Sequence, residues 1–190
     1  MKLHIPTSLY EQVQSLVMST ELETGVSLFG ERDGDTLTVV GIAGPGPNAT
    51  HETYHYSGDE DYKNEVYQSL LKENPKIEYI GELHAHPFGM SWLSRADVRT
   101  VKSLLKEFPY FIAGVMLRNP FEMFCWYFPG KQKVEVVCEH RGNWSRLRWF
   151  DFGRYAWKIR DRRIGFDRSR RPDREQLQAP CLDARRRGEE

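Results

Sequence analysis

Apolar positions recur along the chain in two periods, and the alternation between the periods predicts the order of elements. Leu9, Val13, Leu16 and Val17 fall at helical spacing, and Ser8 followed by Glu11 predicts a capping box at the start of this first helix. Val26 to Glu31 and Thr36 to Ile42 predict two strands, joined as a hairpin by the turn Asp33-Gly34-Asp35. The second strand ends in the turn-rich run Gly44-Pro45-Gly46-Pro47-Asn48, after which a strand is expected through Thr53-Tyr54-His55-Tyr56. A helix follows from about Asp59 to Glu73, with Tyr62, Val66, Leu70 and Leu71 on its apolar side. The run Ile77-Glu78-Tyr79-Ile80-Gly81-Glu82-Leu83 predicts a buried strand, and Ala96, Val98, Val101, Leu104 and Leu105 a third helix. Tyr110 to Leu117, Phe121 to Phe128 and Lys133 to Val137 read as further strands, the first two joined by Arg118-Asn119-Pro120. The expected order is helix, strands, helix, strand, helix, strands. That order gives an α/β chain of the α+β type, with a mixed sheet flanked by helices over residues 1–140 and no internal repeats.

The most specific chemistry lies where the fourth predicted strand meets the third helix. After His84-Ala85-His86-Pro87 come Ser94, separated from His86 by seven residues, and then Asp97. Alternate residues of a strand share a face, so His84 and His86 can point at one ion. Ser94 stands at a helix start with an acid three residues on, so it can cap while Asp97 occupies the first turn. There the helix dipole favours a carboxylate by about 0.3 to 1 kcal/mol and keeps it ionised. Two imidazoles and one carboxylate, with a fourth position open, is the ligand set of a catalytic zinc; structural zinc sites take four ligands and are usually rich in Cys. The chain has no CxxC.

These residues resemble the JAMM, or MPN-plus, metalloprotease family, whose signature is an upstream Glu, then HxHPxG and SxxD. His84, His86, Pro87, Gly89, Ser94 and Asp97 match it. The resemblance implies a JAB/MPN-like fold, one zinc per chain held by His84, His86 and Asp97, and an acid at the start of a strand of small and apolar residues. Glu23, ahead of Thr24-Gly25-Val26-Ser27-Leu28-Phe29-Gly30, has that setting, with Glu21 and Glu31 as nearby competitors. Zinc lowers the pKa of a bound water from about 15.7 to about 7, which makes that water the nucleophile. Glu23 is expected to move its proton, and the Ser94 hydroxyl to donate to the oxyanion. Two positions call for comment. Ala85 stands where the family commonly has Ser or Thr, and its side chain should face away from the metal. Glu82 shares a strand face with His84 and is weighed as an acceptor that orients a ligand, against an edge-facing charge. The run Gly81-Glu82-Leu83-His84-Ala85-His86-Pro87 is similar to that of stand-alone bacterial members. His51 and His55 fall outside the motif and read as loop or surface residues.

Composition changes this picture chiefly at one end. Hydrophobic residues make up 39% of the chain and charged residues 28%, which suits one globular catalytic domain. The net charge of zero conceals 12 basic and 19 acidic residues in 1–140 against 15 and 8 in 141–190. Aromatic residues from Trp144 to Trp157 predict that 141–167 docks on the domain, while the Arg-rich 168–190 has the composition of disorder. No run is long and apolar enough for a membrane span, and Met1 to Pro6 lacks a signal-peptide core, so a cytoplasmic protein is expected. Three Cys without framework spacing agree with a reducing compartment, and Cys125 reads as core.

The resemblance implies a zinc-dependent isopeptidase or peptidase that cleaves after the C-terminus of a ubiquitin-like protein. Its substrate would be that protein or its conjugate, made by a neighbouring activating and conjugating system. A strand edge beside the site would hold the extended tail, with Met90-Ser91-Trp92-Leu93 as a wall of the groove. Trimming of a sulfur-carrier precursor and a DNA-associated role like that of the RadC branch stay open. Only the basic tail favours contact with nucleic acid. A silent scaffold conflicts with the filled ligand positions.

Overall fold

The computed structural model describes residues 1–139, apart from positions 54 and 87. The expected docking segment 141–167 and tail 168–190 lie outside the described residues, as do Cys181 and Pro87.

The chain opens on a strand that the hydrophobic pattern did not announce, β1 (Lys2–Pro6). Its alternation is complete but short: Leu3 and Ile5 are buried, and Lys2, His4 and Pro6 face outward. Helix α1 (Thr7–Met18) follows at once and buries Leu9, Val13 and Val17 as the spacing predicts. The capping box expected from Ser8 and Glu11 does not form. β1 stays paired through Pro6, opposite Glu139, so the chain enters the helix two residues early and Ser8 falls inside its first turn. Pro6 takes the N-cap position without a side-chain bond.

The predicted hairpin is present as β2 (Thr24–Asp33) and β3 (Thr36–Ala43). The strand expected across residues 53–56 is instead a two-stranded ribbon, β4 (Thr50–His51) paired antiparallel with β5 (Tyr56–Ser57). Helix α2 (Glu60–Glu73) begins after Asp59, whose carboxylate accepts from Tyr62 N at 3.2 Å. Then come β6 (Glu78–Ala85), α3 (Arg95–Leu104), β7 (Phe111–Leu117), β8 (Glu122–Phe128) and β9 (Gln132–Glu139).

The mixed sheet is curved enough to close, in the order β1-β3-β2-β6-β7-β8-β9, because β1 pairs in parallel with both β3 and β9. Burying Leu3 and Ile5 contributes about 1.5 to 3 kcal/mol each, which is what holds so short a strand in the seam. Period-two alternation serves two cores at once. On β7, Ile112 and Met116 join the cluster shared with α1, while Phe111, Ala113 and Val115 pack with Val101 of α3. On the other flank, Val66 and Leu70 of α2 cover Phe29 and Ala43. Among the described residues no helix is long and apolar enough to cross a membrane.

Candidate metal centre and catalytic cleft

β6 brings His84 to its half-buried face beside Glu82, while Leu83 and Ala85 turn into the core. Ala85 thus faces away from the cleft, as expected. β2 runs antiparallel to β6 with Thr24 opposite Ala85 and Gly25 opposite His84. One further step in that register sets Glu23 against His86. The carboxylate of Glu23 and a nitrogen of each imidazole lie within 4.8 Å of one another. Glu31 is at the far end of β2, where it accepts from Asn74, and Glu21 is exposed, so neither competitor reaches the site.

Helix α3 supplies the other acid. Ser94 is its N-cap: Ser94 Oγ accepts from Asp97 N at 3.2 Å, and Ser94 N donates to Asp97 Oδ2 at 2.6 Å, the reciprocal pair that the Ser-x-x-Asp spacing predicts. The carboxylate is thereby locked onto its own helix start, with Oδ2 3.5 Å from His84 Nε2 and 3.7 Å from His86 Nε2. The two imidazole nitrogens are 2.9 Å apart. His86 Nδ1 lies 3.1 Å from the carbonyl of Met90; an oxygen there can only accept, so Nδ1 carries a proton and donates to it, leaving Nε2 to face His84 and Asp97. Gly89 turns the chain between them at φ 71°, in the left-handed region where a side chain is strained.

The electrostatics follow from this packing. Burial opposes ionisation of Asp97, but hydrogen bonds from His84, His86 and Ser94 outweigh it and hold its carboxyl well below the usual carboxylate range. Burial likewise opposes the charge on His86, yet Asp97, the Met90 carbonyl and Glu23 raise its pKa above the ordinary imidazole value.

Four ligands at about 2.0 to 2.1 Å around a tetrahedral ion stand roughly 3.3 Å apart. The distances among His84, His86 and Asp97 straddle that value, so these three fit a zinc ion, and the Glu23 carboxylate stands beside them, within 4.8 Å of a nitrogen of each imidazole. The site opens into a cleft of about 480 Å³ lined by Ser27, Tyr56, Lys63, Glu82, Met90 and Leu93 among others. Phe88 and Trp92 are exposed on the loop between His86 and Ser94.

Glu82 is where its strand face predicts, but other groups take up its carboxylate. It accepts from Tyr79 OH at 2.5 Å and Ser27 Oγ at 3.3 Å, and lies 3.6 Å from Lys63 Nζ. Burial and this neighbouring charge raise the Tyr79 pKa far above the ordinary phenol value. His51, read as a loop residue, does more than that reading allows. It is half-buried in β4, and its Nδ1 donates to the Glu23 carbonyl at 2.9 Å, while Glu23 N donates to Glu52 O at 3.2 Å. The ring of Tyr56 of β5 packs against Gly25, where a Cβ would meet it at 2.6 Å, and its hydroxyl donates to the Gly25 carbonyl. The ribbon thus grips Glu23 and its neighbours through their backbone. A His four residues before another His gave no sign of this in the sequence.

The family model described as JAB1/Mov34/MPN/PAD-1 ubiquitin protease matches residues 2–109. A solution structure of protein DSY2949 from Desulfitobacterium hafniense is similar in fold, at a TM-score of 0.58 and 16% identity, covering 73% of this chain and 94% of that one. No curated protein matches the chain significantly.

Proposed function

The chain belongs to the JAB1/Mov34/MPN/PAD-1 family, and on that premise we propose that it is a zinc-dependent peptidase of the JAMM type that hydrolyses the amide or isopeptide bond after the C-terminus of a ubiquitin-like protein. The observation that carries this reading is the triangle formed by His84 Nε2, His86 Nε2 and Asp97 Oδ2, whose sides of 2.9, 3.5 and 3.7 Å suit one small, four-coordinate cation. Members of the fold that lack such donors are silent; here each position is filled.

A zinc ion held there supplies Lewis acidity toward a carbonyl and brings the pKa of a water down to about 7. The remaining work falls to the protein. Glu23, within 4.8 Å of both imidazoles, accepts the proton of the attacking water and returns it to the leaving amine, a role worth about 10² to 10⁴ in rate. Ser94 Oγ uses a lone pair to accept from Asp97 N, which leaves its hydrogen available to an oxyanion. Cap and oxyanion donor are therefore compatible roles for one hydroxyl. The proton on His86 Nδ1 is committed to Met90, so this imidazole serves as ligand and not as acid.

The family description and the shape of the cleft support the substrate class. The cleft is open to solvent; Phe88 lines it, and Trp92 is exposed on the same loop. Recognition then has to come from surface remote from the scissile bond. The test compares a ubiquitin-like protein fused to an unrelated reporter with a short peptide copying only the junction. Release from the fusion should be far faster, and a chelator should abolish both reactions. Equal rates would favour a general peptidase or the trimming of a carrier precursor, and no release from either would mark a scaffold.

A further inference from the structure

The group that sets the distance between the two walls of the cleft is a side chain that enters neither the motif nor the donor cluster. Arg118 stands just after β7, whose pairing with β6 ends at Met116 opposite Ala85, so its side chain leaves the barrel beside His86. The guanidinium meets four backbone carbonyls. Nε donates to Thr20 O at 2.9 Å and Val17 O at 3.2 Å, one terminal nitrogen to Leu22 O at 2.5 Å, and the other to His86 O at 3.3 Å. Three of these oxygens belong to the end of α1 and the loop that delivers Glu23; the fourth belongs to His86. One planar group therefore spans the backbone of the residue before Glu23 and the backbone of His86.

We propose that Arg118 is a positioning residue that fixes the Glu23-bearing loop relative to His86, and so holds the acid at working distance from the metal ligands. The reason lies in the shape of the donor. A guanidinium carries five N–H groups in a rigid plane, so binding carbonyls along two edges fixes the separation of what those edges hold. A lysine ammonium is a point with three rotatable donors; it can neutralise carbonyl dipoles but cannot set a distance between two of them. The demand for such a brace is visible in the sequence. Residues 19–23 form no helix or strand, and the local bond from Leu22 N to Thr20 Oγ1 at 3.1 Å stops short of Glu23, the last residue before β2. His51 and Glu52 hold the Glu23 peptide from one side, and Arg118 holds Leu22 from the other. Arg118 also lies beyond the residues that the family model matches.

The inference rests on Glu23 acting as proton acceptor, but part of its test does not. Full-length Arg118→Ala and Arg118→Lys are compared with wild type by thermal melting, by zinc affinity in competition with a chelator, and by amide hydrogen exchange over residues 19–24 and 84–90. Turnover and KM are measured on the fusion substrate. Arg118→Ala should speed exchange about tenfold in both segments together. Its kcat should fall about 10²-fold, the scale of a displacement of about 1 Å, with KM within about threefold. Arg118→Lys should melt close to wild type yet recover only part of kcat, and it decides the matter if the alanine variant does not fold. In a Glu23→Gln background the same alanine change should cost less than about threefold, because the misplaced group has already lost its function. A full additive loss in that background, or unchanged exchange in both segments, would overturn the proposal. If wild type cleaves no fusion, the exchange arm still decides: coupled loosening of both segments upholds the brace, and unchanged exchange in both overturns it.

Discussion

The two walls of the cleft are held by different means. On one side His84, His86, Ser94 and Asp97 lie within fourteen residues of each other, and their placement follows from strand alternation and a capping box. On the other side Glu23 belongs to a loop that takes its position from distant groups: His51 Nδ1 on its carbonyl, Glu52 O on its amide, and Arg118 on the residue before it. The first wall is set by local geometry and the second by tertiary contacts. Local geometry survives small shifts of the rest of the molecule, whereas an acid aimed through borrowed contacts moves when any of them does. Binding of a cation and transfer of a proton should therefore respond separately to substitution.

The largest separation is expected from His84→Ala, which removes one corner of the donor triangle. The purified wild type should carry about one zinc per chain and the variant almost none, with turnover at background. Equal metal in both proteins would show that the ion sits elsewhere. Next comes Glu23→Gln, which keeps the size of the side chain but cannot accept a proton. Here zinc and the melting temperature should stay at wild-type values while turnover falls about 10² to 10⁴ fold. Metal loss in parallel with turnover would make Glu23 a ligand and erase the distinction between the walls. The smallest effect should come from Ser94→Ala. It removes a hydroxyl donor, costing roughly 10² to 10³ in rate, and a cap worth about 0.5 to 2 kcal/mol. Stability and rate fall together in this variant, because on the local wall one residue serves both. A melt unchanged by Ser94→Ala would mean that the cap contributes nothing and that the local wall is set by something else.

The same division explains what the sequence could and could not disclose. Strand periodicity put His84 and His86 on one face, and Ser-x-x-Asp spacing put Asp97 at a helix start, since both rules act over a few residues. The Ser8 and Glu11 pair obeys the identical spacing and makes no box, because β1 pairing carries the chain past it. β1 was itself hidden: five residues of alternation with Pro6 at the end are too few to tell from a loop until Thr36 to Thr38 and Glu135 to Glu139 are seen on either side. Closure of the sheet was illegible for the same reason. Glu82 was placed correctly, but its partners Tyr79, Ser27 and Lys63 were chosen by packing rather than by strand position. Arg118 reads in sequence as part of a turn; three of its acceptors lie about 100 positions upstream. Cys125 followed the apolar run into the core, where burial pushes its thiol up to about 12.

The seam at β1 bears on how the molecule can be made. Lys2 to Pro6 leave the ribosome well before Glu135 to Glu139, yet one flank of this strand pairs with those residues and has no partner until they have been synthesised. Nearly the whole described chain must therefore be available before the barrel can shut. At about 5 to 20 residues per second of synthesis, the first strand waits many seconds with an open hydrogen-bonding edge and with Leu3 and Ile5 unburied. Closure over so long a loop is the kind of non-local step that slows folding.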